Sequence, residues 1–235
     1  MKKVDNASPY DEMVPVEILN SLTEIITRLG LVKTIDQEDD IYRVRVVDKG
    51  KELKSAKELG SPPKDKALLA NRMSPAGISM FYGSFEIETA ISETYEPEKQ
   101  ANKEIVCGTF NPARILWVID LSEKIQIPSL FDEIKREDRF LLKFLKDFIS
   151  DFSKPIERID RAHVDYVPTQ VVTEYIKHIF PHTRLGNEID GIVYPSSKSK
   201  EQKCVVIFAS SEQCVDTISS GKEMLVLKKV EVIKI

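Results

Sequence analysis

The sequence is poor in the residues that build metal centres and redox motifs. Only three of its 235 residues are cysteine and three are histidine. The cysteines are Cys107, Cys204 and Cys214, and the histidines are His163, His178 and His182. The cysteines form no C-x-x-C pair, and no histidine has a metal-like spacing with a cysteine or carboxylate. We therefore expect no metal, and we expect Cys107 and Cys204, which lie in apolar runs, to be buried.

Long apolar runs and an excess of positive charge are also missing. No apolar run approaches the roughly 20 residues that a membrane-spanning helix needs, and the segment MKKVDNASPYDEM lacks the apolar core of a signal peptide. The formal net charge of -4 gives no electrostatic reason to expect a nucleic-acid ligand. A composition of 42% hydrophobic and 31% charged residues is ordinary for a soluble globular protein. We expect a cytoplasmic protein without a membrane or direct nucleic-acid partner.

The pattern of apolar residues predicts both helices and strands. Helical spacing over residues 13–29, stopped by Gly30, predicts an amphipathic helix. Alternation in IYRVRVVD, Ile41–Asp48, predicts a strand with Arg43 and Arg45 on one face. The charged stretch that follows is broken by Gly and Pro, which predicts a long surface loop.

The second half of the chain continues the mixed pattern. Strands are predicted in KEIVCGTF, ARILWVIDL, IDGIVYPS, KCVVIFAS and MLVLKKVEVIKI, and helices over residues 131–152 and 168–179, the latter ending near Pro181. We find no internal repeat and no convincing linker. The prediction is an α+β protein, with residues 1–40 as an N-terminal helical extension and residues 41–235 as the main domain.

Four kinds of side chain with complementary chemistry stand out along this pattern. Each has an ordinary explanation: Glu93 on a helix surface, Tyr82 packed at the end of a strand, Ser196 in a turn, and Arg43 on a solvated strand face. Together they match a dinucleotide, because arginine suits phosphate and a carboxylate stabilises a developing cation. A tyrosine ring can stack on a flat heterocycle, and a hydroxyl can orient an amide.

The run NRMSPAGISMFYGSFEIETAISETY resembles the core motif of the RES-domain family. In that family an Arg before a small-residue turn is followed ten residues later by Tyr and eleven further by Glu, which here are Arg72, Tyr82 and Glu93. DGIVYPSS resembles the third element and places the family Ser at Ser196, while YRVR resembles the opening strand with Arg43.

The resemblance extends from about residue 42 to residue 210. It includes DYVPTQVVTEYI, which begins at Asp165 and is similar to the longer members of the family. The chain departs from the usual pattern after the Ser motif, where the family usually carries an Asn and this chain has Cys204. The predicted helix over residues 131–152 resembles an elaboration that short members lack.

The resemblance implies an ADP-ribosyltransferase-like fold, with a split mixed β core flanked by helices and NAD bound in the cleft. Several members of the family act as toxins that consume NAD and release nicotinamide by phosphorolysis or hydrolysis, and others transfer ADP-ribose to a protein. Such toxins inhibit growth and are neutralised by an adjacent helix-turn-helix antitoxin. Homo-oligomerisation and the acceptor, which is inorganic phosphate, water or a side chain, stay open.

Residue roles are also implied by the resemblance. Arg43 and Arg72 would hold the pyrophosphate or the adjacent ribose, and Tyr82 would stack near nicotinamide. Glu93 would stabilise the oxocarbenium-like transition state, and Ser196 would orient the nicotinamide side. The alternative is a degenerate RES fold that binds a nucleotide or a protein without turnover, since a fold does not establish an activity.

Overall fold

The structure is a computed structural model that describes residues 15–100, 102–132, 138–152, 166–180, 188–199 and 201–234. In this part of the chain nine strands form one mixed sheet in the order β1-β5-β6-β7-β3-β2-β4-β9-β8. The strands are β1 Val32–Ile35, β2 Ile41–Asp48, β3 Phe81–Ser84, β4 Lys103–Pro112, β5 Leu116–Asp120, β6 Gly191–Pro195, β7 Lys203–Ile207, β8 Cys214–Val215 and β9 Leu225–Ile233. The pairs β5–β6 and β8–β9 are parallel, and the other neighbours are antiparallel.

Six α-helices accompany the sheet within the described residues. They are α1 Pro15–Arg28, α2 Ala56–Leu59, α3 Ile87–Thr94, α4 Pro97–Gln100, α5 Asp138–Phe152 and α6 Val167–His178. A mixed sheet with helices between its strands confirms the predicted α+β class.

The sheet is nearly divided between β2 and β3. These two strands form one registered pair, Tyr42 opposite Ser84, whereas β2 pairs with β4 along its whole length from Ile41 to Asp48. On its other side β3 pairs with β7 through all four of its residues. Because the ladder between β2 and β3 stops after one pair, the two halves of the sheet diverge there and leave room for a cleft.

The N-terminal helix α1 is part of the folded body. Its apolar face carries Leu22, Ile25 and Ile26, each 1% exposed, in a core that also includes residues of α5 and α6. The Thr23 and Tyr175 hydroxyls lie 3.0 Å apart, and Arg28 pairs with Asp138 at 2.5 Å. The apolar stripe is therefore covered within this chain. The division into domains at residue 40 stays a prediction.

Several predicted boundaries need correction. The helix expected over residues 131–152 is described over Asp138–Phe152, and Phe131, where it was expected to start, lies in an exposed turn. The stretch after β2 is not only a loop, since α2 buries Ala56 and Leu59 and is capped by a Ser55–Glu58 capping box. Strand β1 was not predicted, because four residues with one buried position give little periodicity. Asp165, His163, Pro181 and His182 lie outside the described residues.

Candidate active site

A cavity of about 400 Å³ lies where β2 and β3 diverge. Its walls come from β2, β3, the facing ends of β6 and β7, helix α3, and the segment between residues 62 and 80. Three of the residues singled out from the sequence line it: Arg43, Tyr82 and Glu93. Arg43 lies 39 residues before Tyr82. It meets Tyr82 and Glu93 because the divided sheet, α3 and the turn at Arg72 converge on one cleft.

Glu93 stands in the last turn of α3, and its carboxylate is held by the turn that follows β6. Its Oε1 accepts hydrogen bonds from Ser196 Oγ at 2.5 Å, Ser197 N at 2.7 Å and Lys198 N at 3.2 Å. Its Oε2 accepts from Ser197 Oγ at 2.9 Å. The carboxylate is thus oriented mainly through one oxygen, and the residue stays exposed at the cavity.

Ser196 is completely buried behind Glu93. Its hydroxyl donates to Glu93 and accepts from the backbone N–H groups of Lys198 and Ser199, both at 3.1 Å. A serine hydroxyl offers one donor and two acceptor lone pairs, so these three bonds use its full capacity. In this structure Ser196 fixes the turn and the carboxylate, and it is not among the residues that line the cavity.

A second anchor ties α3 to the same turn. Thr89, one helical turn before Glu93 and fully buried, donates its hydroxyl hydrogen bond to Gln202 Oε1. The Gln202 backbone carbonyl accepts from Ser196 N at 2.8 Å. Gln202 therefore links the helix to the serine turn. Neither residue was predicted from the sequence, although Thr89 and Glu93 share a helix face at i, i+4 spacing.

Tyr82 forms part of the cavity wall with its ring partly packed on the core. Its hydroxyl lies 2.9 Å from Ser74 Oγ, which fixes the ring to the turn before β3. Burial raises the pKa of Tyr82 to about 12. The phenol is therefore neutral at physiological pH, and the ring presents an uncharged face to the cavity.

Arg43 enters the gap that the divided sheet leaves. Its Nη1 donates to the Tyr82 carbonyl at 2.7 Å, and its guanidinium lies 5.0 Å from the centre of the Phe81 ring. Burial, with the positive charge of Arg45 adding to it, lowers the pKa of Arg43 to about 9. The guanidinium remains largely protonated at pH 7 and gives the cavity a positive charge.

Arg72 belongs to the turn beside the cavity and is not among the residues that line it. Its backbone carbonyl accepts from Thr169 Oγ1, and Gln170 Nε2 donates to the Asn71 carbonyl at 2.8 Å, so α6 braces this turn. Burial raises the pKa of Tyr194, and the positive charge of Arg72 acts against that rise.

Cys204 on β7 lines the cavity in the position where an Asn was expected from the family resemblance. Burial and the negative charge of Glu93 raise the pKa of its thiol to about 12, so the thiol is protonated. All three cysteines are free and buried, and the burial predicted for Cys107 and Cys204 is confirmed. His178 pairs with Glu174 at 3.1 Å on α6.

Neither a metal-binding cluster nor a membrane-spanning helix is found in the described part of the chain. Within residues 15–100, 102–132, 138–152, 166–180, 188–199 and 201–234, no three His, Cys, Asp or Glu side chains are grouped to hold a metal ion. Over the same ranges no helix has both the length and the apolar character to cross a bilayer.

Comparison with known protein families identifies the family of this chain. The family described as the RES domain matches residues 41–226, which is most of the chain. The matched range runs from the first residue of β2 into β9, and it includes Arg43, Arg72, Tyr82, Glu93 and Ser196. No match is found among curated proteins.

Proposed function

Because this chain belongs to the RES-domain family, we propose that it is an enzyme that cleaves the nicotinamide–ribose bond of NAD. The observation that carries the proposal is that the Glu93 carboxylate is fixed by the serine turn and yet exposed at a cavity that also holds the partly buried Arg43. A negative charge held in place beside a cleft stabilises positive charge that develops in a bound substrate.

The reaction breaks the bond between the anomeric carbon of the ribose and the pyridinium nitrogen. The bonding electron pair moves to the nitrogen, so nicotinamide leaves as a neutral molecule and positive charge develops on the sugar ring. An acceptor oxygen then forms the new bond to the anomeric carbon and releases its proton to solvent. Phosphate, water and a protein side chain are all compatible acceptors.

Glu93 stabilises this developing charge in the proposal. Its Oε1 is committed to the serine turn, while Oε2 accepts only from Ser197 among the described residues. Oε2 can therefore accept a ribose hydroxyl as well, since a carboxylate oxygen has more than one acceptor site. Such a bond strengthens in an oxocarbenium-like transition state, as it does in glycoside hydrolysis.

The other roles follow the family resemblance. Tyr82 stacks near the nicotinamide ring with an uncharged face, and Arg43 binds the pyrophosphate. Arg72 holds the ribose or pyrophosphate from the turn beside the cleft, and Ser196 acts on the nicotinamide side through the carboxylate that it positions. The physiological role proposed with this activity is growth inhibition that a helix-turn-helix antitoxin relieves, with inorganic phosphate as one candidate acceptor.

A second candidate is a non-catalytic module that binds a nucleotide or a protein. The observation that favours it is Cys204, whose neutral thiol lines the cavity where the family usually has an Asn. A thiol is a weak hydrogen-bond donor and cannot replace an amide that binds substrate through both an N–H and a carbonyl. The same cleft could then bind NAD without releasing nicotinamide.

One assay separates the two candidates. The purified full chain is incubated with NAD in buffers with and without inorganic phosphate, and free nicotinamide is followed by chromatography. We expect nicotinamide release, and the ADP-ribose product, whether free, phosphorylated or attached to protein, identifies the acceptor. Tight binding of NAD by calorimetry without any nicotinamide release would instead establish the binding module.

A further inference from the structure

Two arginines occupy positions on β2 where core residues are expected. Alternation along the strand places Arg43 and Arg45 on the same face as Ile41 and Val47. Ile41 is fully buried and Val47 is 8% exposed, and both belong to the buried cluster that contains Phe81. This face of β2 is therefore part of the interior, and the two charged side chains interrupt its apolar row.

Neither guanidinium has its hydrogen-bonding capacity satisfied. Arg43 donates to the Tyr82 carbonyl, and Arg45 donates to the Gly60 carbonyl at 2.8 Å. The Nε atoms of both arginines are buried and have no hydrogen-bond partner. Over the described ranges, no carboxylate forms an ion pair with either. Both residues are half-buried, and a cation withdrawn from water without a counter-charge raises the free energy of the folded state.

The two charges also repel each other. Residues two apart on a strand are separated by about 7 Å, and the charge of Arg45 contributes to the lowered pKa of Arg43. Both side chains line the same cavity, and a further cation, the exposed Lys66, stands at its wall. An anion placed between the guanidinium groups would relieve the repulsion and pair the unsatisfied N–H groups.

We propose that Arg45 is a further binding residue of the cleft, which completes a diphosphate subsite by binding a second phosphoryl group beside the one that Arg43 contacts. The subsite selects nucleoside diphosphates and dinucleotides over nucleosides. The family motif gave Arg45 no role. Arg45 lines the cavity, whereas Arg72 is not among the lining residues. The inference rests on the proposed function, since it names the part of NAD that these residues hold, but its test needs no turnover.

The test compares ADP with adenosine, which differ by the diphosphate. Calorimetry on the full chain gives the affinity ratio of the two ligands for the wild type, Arg45→Gln and, as a matched control outside the cavity lining, Lys64→Gln. We expect wild type to bind ADP at least about tenfold more tightly than adenosine, because hydrogen bonds to charged groups are strong. Arg45→Gln should lose most of that ratio, and Lys64→Gln, at an exposed position that does not line the cavity, should keep it.

Two results would overturn the subsite. One is a wild type that binds adenosine as tightly as ADP, which needs no variant to fold. The other is a folded Arg45→Gln protein, by its melting temperature and circular dichroism, with an unchanged ratio. Failure of NAD cleavage alongside an intact ratio would instead contradict the proposed function and leave the diphosphate subsite standing.

Discussion

Two glutamates in this chain are each clamped by a pair of adjacent serines, yet the clamps differ in how they are built. Glu223 Oε1 accepts from the backbone N–H and hydroxyl of Ser219 and of Ser220, at 2.7–3.0 Å. These serines are three and four residues from the glutamate. Glu93 is clamped by Ser196 and Ser197, which lie 103 and 104 residues away.

The difference shows which clamp can serve chemistry. Glu223 is 4% exposed, so its carboxylate closes a local loop and is shielded from solvent. Glu93 is exposed at a cavity, and its orientation depends on α3, β6 and the turn after β6 being in place together. Serine donors therefore stabilise a local loop at Glu223, whereas at Glu93 they hold an accessible negative charge in a fixed position.

The largest expected effect is on nicotinamide release when Glu93, the exposed glutamate of the two, is changed. Glu93→Gln should lower the rate of nicotinamide release by roughly 100-fold or more, because it removes the negative charge opposite the developing cation while keeping the side-chain size. The measurement is free nicotinamide by chromatography, with the matched Glu223→Gln variant expected to retain wild-type turnover. A folded Glu93→Gln protein with near wild-type rates would remove Glu93 from the mechanism.

Ser196→Ala should have a smaller effect on the same reaction. It removes the hydrogen bond to the Glu93 carboxylate and the acceptor of the Lys198 and Ser199 N–H groups. Ser197 and the backbone N–H groups still donate to Glu93, so kcat should fall about tenfold with little change in KM. Ser196→Thr, which keeps the hydroxyl, should recover part of the loss. A raised KM with unchanged kcat would show instead that Ser196 contacts the nicotinamide directly.

Secondary structure and candidate site residues could be predicted from the sequence where the signal was local or belonged to a motif. Helical spacing with Gly30 predicted α1, which ends at Arg28, and alternation predicted β2 at its observed limits. The Arg72, Tyr82 and Glu93 spacing indicated a loop, a strand and a helix that converge, and Tyr82 and Glu93 do line one cavity. Each of these signals depends on residues that are neighbours in the sequence.

What the sequence could not supply depends on long-range placement. Alternation showed that Arg43 and Arg45 share a face, but not that this face is interior, because burial there is set by Phe81 and α2. The bond from Thr89 to Gln202 joins residues 113 apart. No local pattern marks such a pair, since its geometry exists only after α3 and the serine turn have been brought together.

The local clamp should affect stability and leave turnover intact. Glu223→Gln replaces charge-assisted hydrogen bonds with weaker neutral ones, so the melting temperature should fall by a few degrees. Thermal unfolding at pH 7 followed by circular dichroism measures this, with the exposed Glu98→Gln as a control of equal charge change. A Glu223→Gln protein that melts like wild type would show that this clamp adds nothing to the fold.

The smallest expected effect is the pH dependence of the difference in melting temperature between wild type and Glu223→Gln. Hydrogen bonds from the Ser219 and Ser220 backbone hold the pKa of Glu223 well below its ordinary value of 4.5. A lowered folded-state pKa stabilises the fold above the unfolded value, and this contribution is lost as the pH falls toward the folded value. The gap in melting temperature between wild type and Glu223→Gln should therefore be full at pH 7 and shrink below about pH 4.5. Other carboxylates titrate in both proteins and largely cancel in the difference, so a gap that stays constant down to pH 3 would exclude the Glu223 charge as its source.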